Sequence, residues 1–104
     1  MDWLAPWNPA EAVGERLTQG LLRQLEVELP PGHVLFGIPV KVLARGNGDD
    51  VLFELLDGSG RVADVHLTWS KGRERLPWPG TDVYVSLQDW AEKVMGPEHQ
   101  EWAS

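Results

Sequence analysis

The sequence predicts an α+β fold: an antiparallel three- to four-stranded meander with an N-terminal and a C-terminal helix packed on it. Three observations carry this prediction. Apolar residues recur at helical spacing near both ends, they alternate with a period of two in between, and turn-forming clusters divide the alternating stretch. The 104 residues, 1–104, fit a single domain with one core.

The first helix is expected within "WNPAEAVGERLTQGLLRQLEVELPPG". Asn8 can cap it, Pro9 suits its first position and Glu11 stands near the positive end of its dipole. Val13, Leu17, Leu21, Leu25 and Leu29 repeat every four residues, with Leu22 widening the stripe, while Glu15, Arg16, Arg23 and Glu26 occupy the other face. Gly14 and Gly20 each weaken the helix by up to ~1 kcal/mol relative to alanine, so docking must stabilise it. "PPGH" ends it.

From Val34 to Ala44 every even-numbered residue is apolar, the period of extended chain. Pro39 cannot donate to a ladder, so this segment is expected at a sheet edge or bent near Gly37 and Pro39. "RGNGDD" turns the chain into a strand with Val51, Phe53 and Leu55 inward. "DGSG" then turns it into a third, with Ala63, Val65, Leu67 and Trp69 on one face. "SKGRERLPWPGTD" has turn residues and no period, which predicts a surface loop. In "SLQDWAEKVMGP" Ser86 caps a helix, Asp89 follows three residues on, Gly96 ends it and Pro97 blocks continuation. "EHQEWAS" is expected to fray as a tail. Trp3 and Trp7 are expected to staple the first helix to the sheet.

Composition narrows the function classes. Without cysteine there is neither a disulfide frame nor a thiolate metal site, which permits the cytoplasmic location expected here. "MDWLAPWNPAE" lacks the start of a signal peptide and no apolar run approaches a membrane span, so no membrane partner is expected. A formal charge of -7, from 16 acidic against 9 basic residues, repels phosphate backbones and argues against nucleic acid. It suits a basic protein partner, although solubility explains it equally well.

Few motifs carry chemistry, and no cofactor or metal is expected. "GSGRVA", Gly58 to Ala63, spells a dinucleotide fingerprint, but a strand follows where a helix N-terminus is needed, so it reads as a hairpin turn. "GNGDD" lacks the spacing of a calcium loop and reads as an acidic turn capping its own backbone. His66 has Asp64 two residues away on the same strand face and Thr68 two beyond; a carboxylate beside an imidazole can orient a general base. No serine elbow or second histidine at ligand spacing accompanies it, so a hydrogen-bonded structural histidine is the plainer reading. Trp69 and Trp90 fall on apolar faces and are expected in the core, whereas Trp78, between Pro77 and Pro79, is a docking candidate. Lys71, Arg73 and Arg75 could join it in stacking single-stranded nucleic acid, against which Glu74 and the net charge argue.

The second sheet face would carry Lys41, Leu43, Arg45, Leu52, Glu54, Leu56, Val62, Asp64, His66 and Thr68. That mixture is too polar for a closed core and too apolar for plain solvent, so a helix or another molecule must cover part of it.

"GHVLFGIPVKVLARGNGDDVLFELLDGSGRVADVHLTWS" followed by "WPGTDVYVSLQDW" resembles a family of short bacterial proteins of unassigned function, with a paired-aspartate hairpin (DDVLFEL), a VHLTW strand and a later WP. The resemblance spans roughly residues 32 to 90 and implies a small stand-alone bacterial protein. It brings no activity, cofactor or catalytic residue.

The expected function is a small acidic non-enzymatic protein-interaction module, of regulator, antitoxin or immunity type, binding a protein partner through Lys41, Glu54, Asp64, His66, Arg73, Arg75 and Trp78. The alternative is a small hydrolase or ligand-binding protein using His66 with Asp64, His33 being brought near by the fold. A third expectation is a homodimer paired through the edge strand around Val34 to Ala44.

Overall fold

A computed structural model describes residues 1–104. The chain is α+β, as expected, but its antiparallel sheet has five strands in sequence order: β1 (Asn8–Pro9), β2 (Val40–Arg45), β3 (Asp50–Leu55), β4 (Val62–His66) and β5 (Gly80–Tyr84). β1 and β5 escape a periodicity search. β1 is two residues long, and β5 follows the proline-rich stretch directly with its two apolar residues, Val83 and Tyr84, adjacent rather than alternating.

The expected first helix is divided. Asn8 does not cap but pairs with Arg45, and Pro9 pairs with Ala44. A four-residue helix α1 (Ala10–Val13) then ends at Gly14, whose φ of 98° lies where side chains are disfavoured, and α2 (Glu15–Glu28) starts in a new direction. Leu21 and Leu25 of α2 are buried, but Leu17 is exposed, and the next fully buried position is Glu28.

Of the two expectations for Val34–Ala44, an edge strand or a bend near Gly37 and Pro39, the structure shows the bend, and the continuous strand is corrected. Residues around His33 to Gly37 form turns that bury Leu35 and expose Val34 and Phe36, the reverse of the alternation. Extended pairing starts only at Val40, after the positive φ of Gly37 and after Pro39. Nor is β2 an edge throughout, because β1 covers Ala44 and Arg45. A bulge between Val42 and Ala44 sets Ala44 opposite Leu52, moving it to the other sheet face.

Two cores lie on either side of the sheet. α2 closes one over Leu35, Val51, Phe53, Ala63, Val65 and Leu67. The other gathers Trp7, Ala44, Leu52, Val62, Trp90 and Met95, so the chain's own C-terminal helix covers the mixed second face. Val51, Leu52 and Phe53 are consequently all fully buried, each large side chain contributing roughly 1.5–3 kcal/mol. Trp7 and Trp3 pack on Trp90, with centroids 4.8 and 5.9 Å away, rather than stapling the first helix.

The C-terminal helix begins as expected, with the Asp89 N–H donating to Ser86 Oγ at 3.0 Å. It does not stop at Gly96. α3 (Leu87–Trp90) runs through a π turn (Ala91–Met95) into α4 (Gly96–Ala103). Pro97, which lacks an N–H, sits in the first turn of α4, directly after the widened π turn. The expected tail is therefore helical. Glu98 accepts from Trp7 Nε1 at 3.0 Å, and His99 Nδ1 donates to the Ala5 carbonyl at 2.8 Å.

Candidate functional site

Beyond β4 the chain is locked by a residue that periodicity did not single out. Glu28 is fully buried at the end of α2. Its Oε1 accepts from the Thr68 N–H at 2.9 Å and the Thr68 hydroxyl at 3.0 Å, while Oε2 accepts from the Trp69 N–H at 2.9 Å and Gln24 Nε2 at 2.7 Å. The Glu28 carbonyl takes the Glu74 N–H at 2.9 Å, so residues 68–74 wrap the end of the helix. Four donors compensate the desolvation of its carboxyl group. A readable signal existed: an acid three residues beyond Leu25, on the buried stripe.

This lock overturns the core placement of Trp69. Trp69 has a φ of 60°, its ring is partly exposed, and Nε1 donates to Asp49 Oδ1 at 2.7 Å. Asp49 and its neighbour Asp50 therefore hold the β4 exit and His66 rather than capping their own turn. "DGSG" does behave as a self-capped turn. Hydrogen bonds from Ser59, above all, and Arg61 hold the Asp57 carboxyl down at about 2.

His33 makes the second link. It is buried, Nδ1 accepts the Leu35 N–H at 3.0 Å, and Nε2–H donates to the Pro79 carbonyl at 2.9 Å. Both ring nitrogens are engaged with backbone, so His33 does not join His66 as the alternative reading required. Instead it ties the turn before β2 to the loop before β5.

Together these links present one surface from two loops. Val34, Phe36, Leu76 and Trp78 are 53, 45, 55 and 52% exposed. The Arg73 guanidinium lies 6.0 Å from the Phe36 ring centroid, and Leu76 packs against Gly32, where a Cβ would come within 3.2 Å of it. An apolar groove of about 530 Å³ adjoins, with Leu22, Leu25, Leu29, Leu35, Phe36 and Ile38 in its walls and Glu26 at its rim.

A second concavity, of about 430 Å³, lies between the β4–β5 side of the sheet and α4, and includes Asp50, Asp64, His66, Asp82, Tyr84 and Glu98. Here the expected Asp64–His66 pair is corrected. Asp64 Oδ2 accepts from Trp90 Nε1 at 2.9 Å, whereas His66 Nδ1 bonds Asp50 Oδ1 at 2.9 Å, its partner across the strands. Burial pushes the Asp64 carboxyl up to about 6, helped by the charges of Asp50, Glu98 and Asp82 and opposed by the Trp90 bond. Burial likewise raises Glu98, and the Asp50 hydrogen bond raises His66.

The seven residues singled out from sequence thus occupy three places. Lys41 and Glu54 pair with each other at 3.3 Å, four residues or roughly 13 Å along β3 from Asp50. Asp64 and His66 line the acidic cleft, and Arg73, Arg75 and Trp78 belong to the two-loop surface. No group of three or more His, Asp or Glu side chains is arranged to hold a metal ion. No helix is long and apolar enough to cross a membrane.

No protein-family model, curated protein or solved structure matches this chain.

Proposed function

We propose that this chain is a small non-enzymatic protein-interaction module of the cytoplasm, of regulator, antitoxin or immunity type, and that it binds its partner through the two-loop surface. One observation carries the reading: four large apolar side chains, each about half exposed, flank Arg73 and Arg75 on loops fixed by buried Glu28 and His33. Aromatic and arginine side chains on a rigid frame are the usual anchors of protein interfaces, and a preorganised surface loses little entropy on binding. Lys41 and Glu54 neutralise each other and Asp64 is engaged by Trp90, so the contact set narrows to Arg73, Arg75, Trp78 and the neighbouring Val34, Phe36 and Leu76. The membership suggested by the DDVLFEL, VHLTW and WP stretches is part of this proposal, and the first two of those stretches contain the Asp50–His66 and Asp49–Trp69 contacts of the frame.

The test uses a tagged chain to retain proteins from bacterial lysate, compared with Phe36→Ser, Trp78→Ala and Glu54→Lys. A partner lost with the first two variants and kept by the third, at unchanged melting temperature, supports the surface. Undiminished affinity in the Phe36 and Trp78 variants refutes it.

A second reading, a small hydrolase or ligand-binding protein, is favoured by the cleft. His66 stands there with Nδ1 committed to Asp50 and its ring largely exposed, an arrangement suited to a general base. Ester turnover abolished by His66→Ala would support it, and turnover indifferent to that change would remove it. Self-association keeps only the part of β2 beyond β1, Val40 to Leu43, and a monomer by light scattering would dismiss it.

A further inference from the structure

We infer that the partner of the two-loop surface presents an acidic, apolar peptide segment, seating large side chains in the groove beside Phe36 and carboxylates on Arg73 and Arg75. The inference rests on the interaction reading above.

Three features converge on that chemistry. Phe36 belongs both to the groove wall and to the exposed patch, so its ring joins the two apolar surfaces. Arg73 lies over the same ring, which sets a guanidinium beside the groove. Lys71, Arg73 and Arg75 are exposed and appear in none of the ion pairs, whereas Lys41, Arg61 and Lys93 are each matched to a carboxylate. The other unpaired cations, Arg16, Arg23 and Arg45, are scattered singly over α2 and β2.

In a chain of net charge -7, this loop is the one place where three unmatched cations gather, so it is where an anionic partner can approach. The acids nearby set the orientation. Glu26 stands at the groove rim and Glu74 lies between the two arginines with its N–H tied to Glu28. A ligand's carboxylates are therefore directed to the outer loop, and its apolar part inward. The aliphatic side chains of Val34 and Leu76 and a groove walled by leucines bury hydrocarbon, which a peptide supplies and a nucleotide strand does not.

The experiment titrates the full-length, isotope-labelled chain with three synthetic peptides sharing one leucine and phenylalanine scaffold, with Asp/Glu, Ser/Gln or Lys interleaved, and with an oligothymidine. Chemical shifts are followed at Phe36, Arg73 and the Trp78 indole. The acidic peptide is expected to move these signals with roughly tenfold higher affinity than the uncharged one, and to lose that margin in raised salt and in the Arg73→Glu/Arg75→Glu variant. Equal affinity for all three peptides, or preference for the basic peptide or the oligothymidine, overturns the acidic assignment while leaving the surface reading intact. No shift at these residues with any peptide overturns both.

Discussion

Replacing Asp64 by asparagine tests the electrostatics of the interface between sheet and C-terminal helix. The folded chain holds the Asp64 proton up to about 6, against an ordinary value of 3.8. A folded form that binds a proton more tightly than the unfolded chain is most stable where both are protonated, below the unfolded value. That stability is lost as pH rises through the folded value. At about 1.4 kcal/mol per pH unit the loss is of the order of 2–3 kcal/mol between roughly pH 4 and 7. Asparagine keeps an acceptor for Trp90 Nε1 and cannot ionise, so Asp64→Asn should be the more stable form at pH 8 by about that amount and should lose the advantage near pH 4. Urea unfolding of both proteins across this range, followed by tryptophan fluorescence, reads the difference directly. Parallel pH curves, within about 0.5 kcal/mol, would show that burial does not control this carboxyl group and would refute the argument.

Other predictions follow from single contacts. Glu28→Ala removes the shared acceptor of the part-buried Thr68 and Trp69 N–H groups and should destabilise by roughly 1–3 kcal/mol, with faster hydrogen exchange at Thr68 and Trp69. Gly46→Ala sets a Cβ 2.8 Å from the Trp7 ring, so a cost of ~1–3 kcal/mol is expected as a lower melting temperature. Ser86→Ala should cost ~1 kcal/mol through the lost cap, read by chemical denaturation. His66 is raised by Asp50, so its stabilisation is complete below the unfolded value of 6.5 and is lost as pH rises through the folded one. Asp50→Asn should lower the His66 titration midpoint measured by NMR.

The inward residues Val51, Phe53, Leu55, Ala63, Val65 and Leu67 and the Ser86 cap were legible because each depends on neighbours in sequence. What periodicity misread has identifiable causes. Val34 to Ala44 alternates as a strand does; the bend expected near Gly37 and Pro39 is present, but the alternation gave no sign that before it Leu35 is buried and Val34 and Phe36 exposed. Trp69 continues the inward parity of β4, but Glu28, forty-one residues earlier, captures its N–H and forces a left-handed φ. Asp64 looked like the partner of His66 because both point to one face. Register brings Asp50 opposite His66, and the helix brings Trp90 to Asp64, neither of which spacing encodes. Arg73, Arg75 and Trp78 stand out in the sequence as a basic, aromatic loop, whereas the alternation of Val34 and Phe36, which lie beside them, reads as a strand.

The two cores differ in how much chain each must gather. The one beneath α2 is built mainly from residues between Leu21 and Leu67, joined by successive hairpins, and such short-range pairing forms quickly. The other joins Trp7 to Trp90 and Glu98, and its contacts bridge ninety-one positions between Trp7 and Glu98. Closing so long a loop delays its rewards until the sheet exists to receive both arms. The N-terminal arm and the C-terminal helix therefore form a clasp whose two halves come from opposite ends of the sequence. Leu52 and Val62 stay covered only while both halves are in place, so the second sheet face is shielded by the two arms jointly and by neither alone.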